Sequence, residues 1–278
     1  MQITFSIFPK FYRHLDPRGL AALVHEVGLD TTNAVIRDGY WVPPGGMAKE
    51  LPAFVKAMEE EGLEVRFATA GFSADSLIAD SDPLAILADS GIAEFRMDYF
   101  RVKDGDPRRS MAEAREALER LVPNLERHGV RAVYQLHHGT LVPSPSAAWQ
   151  LVKGLPARWI GVELDPGNQA YEGLERWDRA AALLGEYAVA LGVKDVALIR
   201  SPEHSEDPDK GWRRTWAPLD EGITNWHEVV SALESIDFKG TFVFMPFYDE
   251  NDPEAMTQKL KREVAYLRAV VAQVMGNE

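Results

Sequence analysis

Two polar clusters, each closing a short apolar run, hold residue types able to move protons or hold a cation. The first ends in YQLHHGT at residues 134–140 and the second in GVELDPGN at residues 161–168. Side chains alternate between the faces of a strand, so Val133, Gln135 and His137 share one face, as do Gly161, Glu163 and Asp165. An amide, an imidazole and two carboxylates at neighbouring strand ends suit general acid–base work or metal ligation through oxygen and nitrogen. Asn168 closes the second cluster. Alternation turns only one of the adjacent histidines inward. His137 is the expected acid or base, because histidine titrates near neutrality, and His138 is assigned to the loop or helix side.

Lys194 ends a later apolar run in phase with Ala190 and Gly192. It either binds a substrate oxyanion or transfers a proton, or it forms a salt bridge to Asp165 or Glu163. Arg37 and Arg96 stand near the ends of two earlier runs as candidate substrate contacts. A basic, aromatic island, KGWRRTW at residues 210–216, offers Trp212 or Trp216 to stack on a sugar face and Arg213 or Arg214 to hold an anionic group. Its other reading is a solvated loop whose tryptophans pack on the fold or on a partner subunit of a homo-oligomer.

The elements that must position these residues alternate along the chain. Runs at 3–8, 31–36, 63–69, 92–97, 130–136, 159–164, 187–193 and 240–245 read as strands. Helical spacing lies between them: Leu20, Leu23, Val24 and Val27 after the Asp16-Pro17 start signal, then Leu51, Phe54, Val55 and Met58 up to Gly62. Further helices are expected at 83–89, 109–128, 146–153, 174–184 and 226–236, and from Asp252-Pro253 to about residue 274. Residues 196–220 read as a loop of unusual length.

Strands that are mostly continuous apolar runs, separated by helices, mean a parallel sheet covered on both sides. Eight such repeats in one chain of 278 residues predict a closed (β/α)₈ TIM barrel as a single domain over 1–278. No Gly-x-Gly-x-x-Gly follows the first strand, which counts against an open dinucleotide-binding sheet. In a barrel the polar clusters fall at the C-terminal strand ends, where active sites form.

Composition narrows the chemistry. A net charge of −13 argues against nucleic acid or an anionic membrane as partner. The absence of cysteine excludes thiolate ligands and disulfides. With no signal-peptide pattern and no long apolar span, a soluble cytoplasmic protein is expected.

Five landmarks together resemble the xylose-isomerase-like TIM barrels, annotated mainly as sugar phosphate isomerases and epimerases. They are LDTTNAVIR (29–37), YQLHHGT (134–140), GVELDPGN (161–168), GVKD (192–195) and PLDEG (218–222), in the family's order. The resemblance implies a sugar or sugar phosphate isomerase or epimerase with a small carbohydrate as substrate. Members of this family hold one divalent cation, manganese or magnesium, with Glu, Asp, His and Glu from strands five to eight. Carried over residue by residue, these positions hold Gln135, Asp165, Gly192 and Met245. The metal assignment here is therefore Asp165 with Gln135, and weak or absent cation affinity is expected unless Glu163 or His137 joins Asp165. Glu163, His137 and Lys194 are the catalytic candidates, with Gln135, Asn168, Arg37, Arg96, Trp212 and Arg213 around the substrate. The alternatives are a lyase using the same enolate chemistry and an inactive carbohydrate-binding barrel.

Overall fold

The computed structural model describes residues 1–248 and 252–276. In chain order the elements are β1 (Gln2–Ile7), α1 (Pro17–Val27), β2 (Thr31–Thr32), β3 (Ala34–Ile36), α2 (Met47–Glu60) and β4 (Phe67–Ala70). Then come α3 (Ala74–Ala79), α4 (Asp82–Asp89), β5 (Glu94–Arg96), α5 (Pro107–His128), β6 (Arg131–Gln135), α6 (Pro145–Val152) and β7 (Ile160–Leu164). The chain ends with α7 (Pro166–Tyr171), α8 (Trp177–Leu184), β8 (Ala188–Val193), β9 (Asp195–Arg200), β10 (Trp212–Ala217), α9 (Trp226–Glu234), β11 (Lys239–Phe244) and α10 (Pro253–Val274).

Nine strands form one sheet in the order β2-β1-β11-β8-β7-β6-β5-β4-β3, with every pair parallel. Its two outermost strands are halves of a single strand. β2 pairs with β1 and β3 with β4, and only Asn33 lies between them. Counting the halves as one leaves the eight strand positions of a TIM barrel. Asn33 spans the gap: its Oδ1 accepts from Ser6 Oγ at 2.7 Å and its Nδ2 donates to Thr69 Oγ1 at 3.3 Å. The side chain thus links β1 to β4 where the ladder is broken.

Helices start where side chains satisfy their unpaired amides. Asp16 accepts from Gly19 N, and Asp252 from Ala255 N. Asp106 accepts from Arg108 N and Arg109 N, so α5 begins at Pro107, two residues before its predicted start. Gly28 and Gly129 end α1 and α5 in the left-handed region that their φ of 79° and 71° requires. The buried stripes of these helices pack on outward strand residues such as Phe5, Ile7, Tyr134 and Phe242. Inside the barrel, Phe67, Val133, Val189 and Ala190 form an apolar layer. The next inward residues along the strands are polar: Thr69, Arg96, Gln135 and Glu163, all buried. That layer is the floor of the site.

The structure differs from the sequence expectation at several elements. The third strand pairs only over Phe67–Ala70, because its neighbour β5 first meets it at Glu94. The expected long loop is a two-stranded antiparallel ribbon, β9 with β10, in which Ala217 faces Asp195 and Trp212 faces Arg200. Two short helices, α3 and α7, were not predicted. α7 spans six residues and is capped by Asp165 itself.

Candidate active site

At the C-terminal end of the barrel a single atom collects the central residues. Asp165 Oδ2 accepts from Gln135 Nε2 at 2.6 Å and from Asn168 Nδ2 at 2.8 Å, and lies 3.3 Å from Lys194 Nζ. Asp165 Oδ1 accepts from Asn168 N at 2.9 Å, which couples the site to the first turn of α7. The amide of Gln135 is oriented by its partners. Its oxygen accepts from Arg96 Nη1 at 2.8 Å and from the Tyr99 hydroxyl, so its nitrogen points to Asp165 and to the Met245 sulfur.

Glu163 sits in the same layer, 0% exposed, and neither carboxylate oxygen has a hydrogen-bond partner among the described residues. It follows a register shift between Val162 and Glu163 in the β7–β8 pairing, the kind of irregularity that re-aims a side chain. Burial pushes its carboxyl up to about 7, with Arg96 pulling down, Asp165 pushing up and Lys194 pulling down. Burial also raises Asp165 and lowers Lys194, and each holds the other charged. The three N–H donors on Asp165 Oδ2 favour its ionised form.

Two glycines make this packing possible. A Cβ at Gly192 would lie 2.8 Å from Asp165 Oδ2 and 3.1 Å from Glu163 Oε1. A Cβ at Gly167 would lie 2.7 Å from Lys194 Cγ. The lysine therefore runs beneath the start of α7, and its ammonium lies 4.8 Å from the Trp216 ring and 4.9 Å from the Phe247 ring. Those rings belong to an aromatic arc across the barrel mouth. Phe11, Phe247, Trp216, Tyr171, His138, His137 and Tyr99 follow one another with centroid separations of 4.5–5.6 Å.

The predicted residues divide accordingly. Gln135, Glu163, Asp165, Asn168 and Lys194 meet at the barrel end, with Arg96 beside Gln135. His137 lies above them in the arc, because β6 ends at Gln135 and the chain then turns. Its Nδ1 bonds to His138 O at 2.7 Å, and burial lowers its pKa to about 4. His138, assigned to the loop or helix side, is tied to the centre through Asn168 Oδ1 at 3.1 Å. Trp212 and Arg213 are not brought to the site, since the ribbon carries them away from the barrel. Trp212 is 48% exposed, and Arg213 forms ion pairs with Asp207 and Asp209 on the ribbon tip. Trp216, the other tryptophan of the island, lies nearer the ribbon base, with its ring beside Lys194 and Phe247. Period-2 alternation marks Phe8 as inward with Ser6, but nothing in the sequence brings Tyr99, Trp216 and Phe247 to one rim.

These donors do not fit a divalent cation. Such an ion needs several oxygen or imidazole ligands at short range. Here the Gln135 oxygen is turned to Arg96 and Tyr99, Gly192 has no donor, Met245 offers sulfur, and Lys194 holds a positive charge against Asp165. Among the described residues no three His, Asp or Glu side chains converge.

The fold has known counterparts. The family model for the xylose isomerase-like TIM barrel matches residues 22–270. A D-psicose 3-epimerase crystallised in the presence of D-fructose superposes with a TM-score of 0.72 at 15% identity, covering 96% of this chain and 99% of that one. The Escherichia coli 3-keto-D-glucoside 4-epimerase gives 0.68 at 13% identity, covering 97% and 99%. A xylose isomerase-like protein from Mycobacterium smegmatis, in complex with magnesium, gives 0.63 at 15% identity, covering 95% and 97%. At these identities the likeness establishes the fold alone. No curated protein matches the chain by sequence. The order of its strands, the polar layer at their C-terminal ends and the extent of the family match lead to one assignment: the chain belongs to the xylose isomerase-like TIM barrel family.

Proposed function

We propose that this protein is a sugar isomerase or epimerase that moves a proton next to a carbonyl without a divalent metal. The observation that carries this reading is Glu163: a buried carboxylate with both oxygens unpartnered and a pKa near neutrality. A buried polar group left without partners is costly, and near-neutral pKa values suit a general base. In this scheme ionised Glu163 removes the α-proton, the C–H electron pair moves into the carbonyl, and the oxyanion is stabilised by the Lys194 ammonium. Asp165 fixes that ammonium, while Gln135 and Asn168 fix Asp165. Return of the proton to the former carbonyl carbon, with the hydroxyl proton passing from one oxygen to the other, gives isomerisation, and return to the opposite face of the α-carbon gives epimerisation. Two structural neighbours are epimerases, in agreement with this chemistry.

A set of ketoses and aldoses incubated with the protein in deuterium oxide and excess chelator is expected to incorporate deuterium at an α-carbon, read by NMR. One specific observation supports the second reading, a carbohydrate-binding barrel without turnover: Glu163 and Lys194 are both sealed from solvent. Saturable sugar binding with no incorporation for any sugar would establish that reading instead.

Calorimetric titration of metal-stripped protein with manganese is expected to show no tight one-to-one binding, because two usual ligand positions hold Gly192 and Met245. Tight binding abolished by Asp165→Ala would mean that a site has been rebuilt around Asp165, and the metal-free scheme would be wrong.

A further inference from the structure

A second group of charges at the barrel mouth is left out of this scheme. Arg37 follows β3 and Arg96 ends β5, and both turn inward onto Phe8. Their guanidinium carbons lie 5.5 Å and 5.2 Å from the centre of the Phe8 ring. The Arg37 backbone is held in place, with its N–H donating to Val42 O at 3.0 Å and its carbonyl accepting from Tyr40 N at 3.2 Å.

Two guanidinium groups thus share one aromatic ring in a largely buried setting. Burial first, then the charge of Arg96, lowers the pKa of Arg37. Cation–π contact with Phe8 offsets part of that cost but leaves the N–H donors unused. Among the described residues Arg37 makes no ion pair and no side-chain hydrogen bond. Arg96 is 5% exposed, and its bonded partner is the neutral Gln135 oxygen. Asp98, whose charge favours the protonated form of Arg37, lines a lateral cavity with Arg101 and Lys103 and forms no ion pair with Arg37.

Charge bookkeeping at the mouth leaves an excess. Lys194 and Asp165 balance each other, and Arg96 faces the partly ionised Glu163. Among the described residues Arg37 has no ion-pair partner, and Asp98 acts on it only through space. In a chain of net charge −13, a surplus of positive charge on two arginines set at least partly below the surface is not a background property. The guanidinium fork matches the paired oxygens of carboxylates and phosphates.

We propose that Arg37 and Arg96, held on the Phe8 ring, form an oxyanion subsite, so that the ligand of this barrel is an acidic sugar carrying a carboxylate or a phosphate. The identity of the substrate rests on the Glu163 reading, but the subsite is tested by binding alone. Isothermal titration at low ionic strength would compare inorganic phosphate, D-glucuronate and neutral D-glucose. The proteins would be wild type, Arg37→Gln, Arg37→Lys and Arg66→Gln, the last altering an exposed arginine at the opposite end of the barrel. The expected result is one-to-one binding of at least one anion, weakened about tenfold to a hundredfold in Arg37→Gln, the size of a charge-assisted pair. Arg37→Lys should retain part of the affinity, and Arg66→Gln all of it. Phosphate binding would identify a phosphate ligand, and glucuronate binding well above glucose a carboxylate. If neither anion binds more tightly than glucose, or Arg37→Gln binds as wild type does, the subsite is refuted. Anion binding intact in a protein that exchanges no α-proton would overturn the catalytic reading and leave the subsite standing.

Discussion

Replacing Glu163 by glutamine is expected to stop α-proton exchange and, at pH 8, to make the protein more stable. The loss of exchange should be about 10²–10⁴-fold, the usual contribution of a positioned base. The gain in stability follows from the direction of the pKa shift. Burial raises the folded-state pKa from the ordinary carboxyl value of 4.5 to about 7. Below pH 4.5 the group is protonated in both states and imposes no ionisation cost. Between 4.5 and 7 the unfolded chain releases the proton while the folded chain keeps it, so stability falls as pH rises. Above about 7 the full cost is present, on the order of 3 kcal/mol for a shift of about 2.5 units. Urea unfolding of both proteins at pH 5 and pH 8 reads this directly. The advantage of the variant should be largest at pH 8 and shrink toward pH 5. Glu263, whose burial raises its pKa to about 8, shifts stability in the same direction in both proteins and cancels from the comparison. An advantage that does not change with pH would mean Glu163 is not held protonated in the fold.

Lys194→Met should be among the most destabilising single changes in the barrel. The substitution keeps most of the stem beneath Gly167 but removes the charge 3.3 Å from Asp165 Oδ2. Breaking a buried ion pair from one side costs roughly 3–5 kcal/mol, because the remaining charge is left uncompensated. Adding Asp165→Asn to Lys194→Met removes that charge and should restore a large part of the loss. A double-mutant cycle by chemical denaturation at pH 8 measures the coupling. A loss below about 1 kcal/mol for the single variant would show that Asp165 is stabilised by Gln135 and Asn168 alone, and the role of Lys194 as resident cation would fall.

Much of the barrel was legible from periodicity and end signals. Leu20, Leu23, Val24 and Val27 after Asp16-Pro17 specify α1, and Asp252-Pro253 specifies the start of α10, because capping and amphipathic spacing are local properties. The alternation of Gln135 with Val133, and of Asp165 with Glu163, likewise brought the central residues to one face. The ribbon escaped this reading: β9 and β10 are short, partly exposed strands that stabilise one another across an intervening turn, and neither half has a buried face of its own. β7 also needed its partner strand, since the register shift at Glu163 exists only as a relation between β7 and β8.

By itself the sequence determined the alternation of the eight barrel strands with their main helices, the family, and the placement of Gln135, Glu163, Asp165 and Lys194 at strand ends. The family resemblance further implied that Gly192 and Met245 stand where metal ligands are usual. Only the tertiary structure decided that Lys194 pairs with Asp165, that Glu163 is left without a partner, that Trp216 rather than Trp212 covers the site, and that Arg37 and Arg96 meet on Phe8. The first set depends on side-chain period and backbone capping, which act within a few residues. The second depends on how strands far apart in the chain stagger around the barrel, which sets Asn33 between β1 and β4 and brings neighbouring atoms close to Gly167 and Gly192.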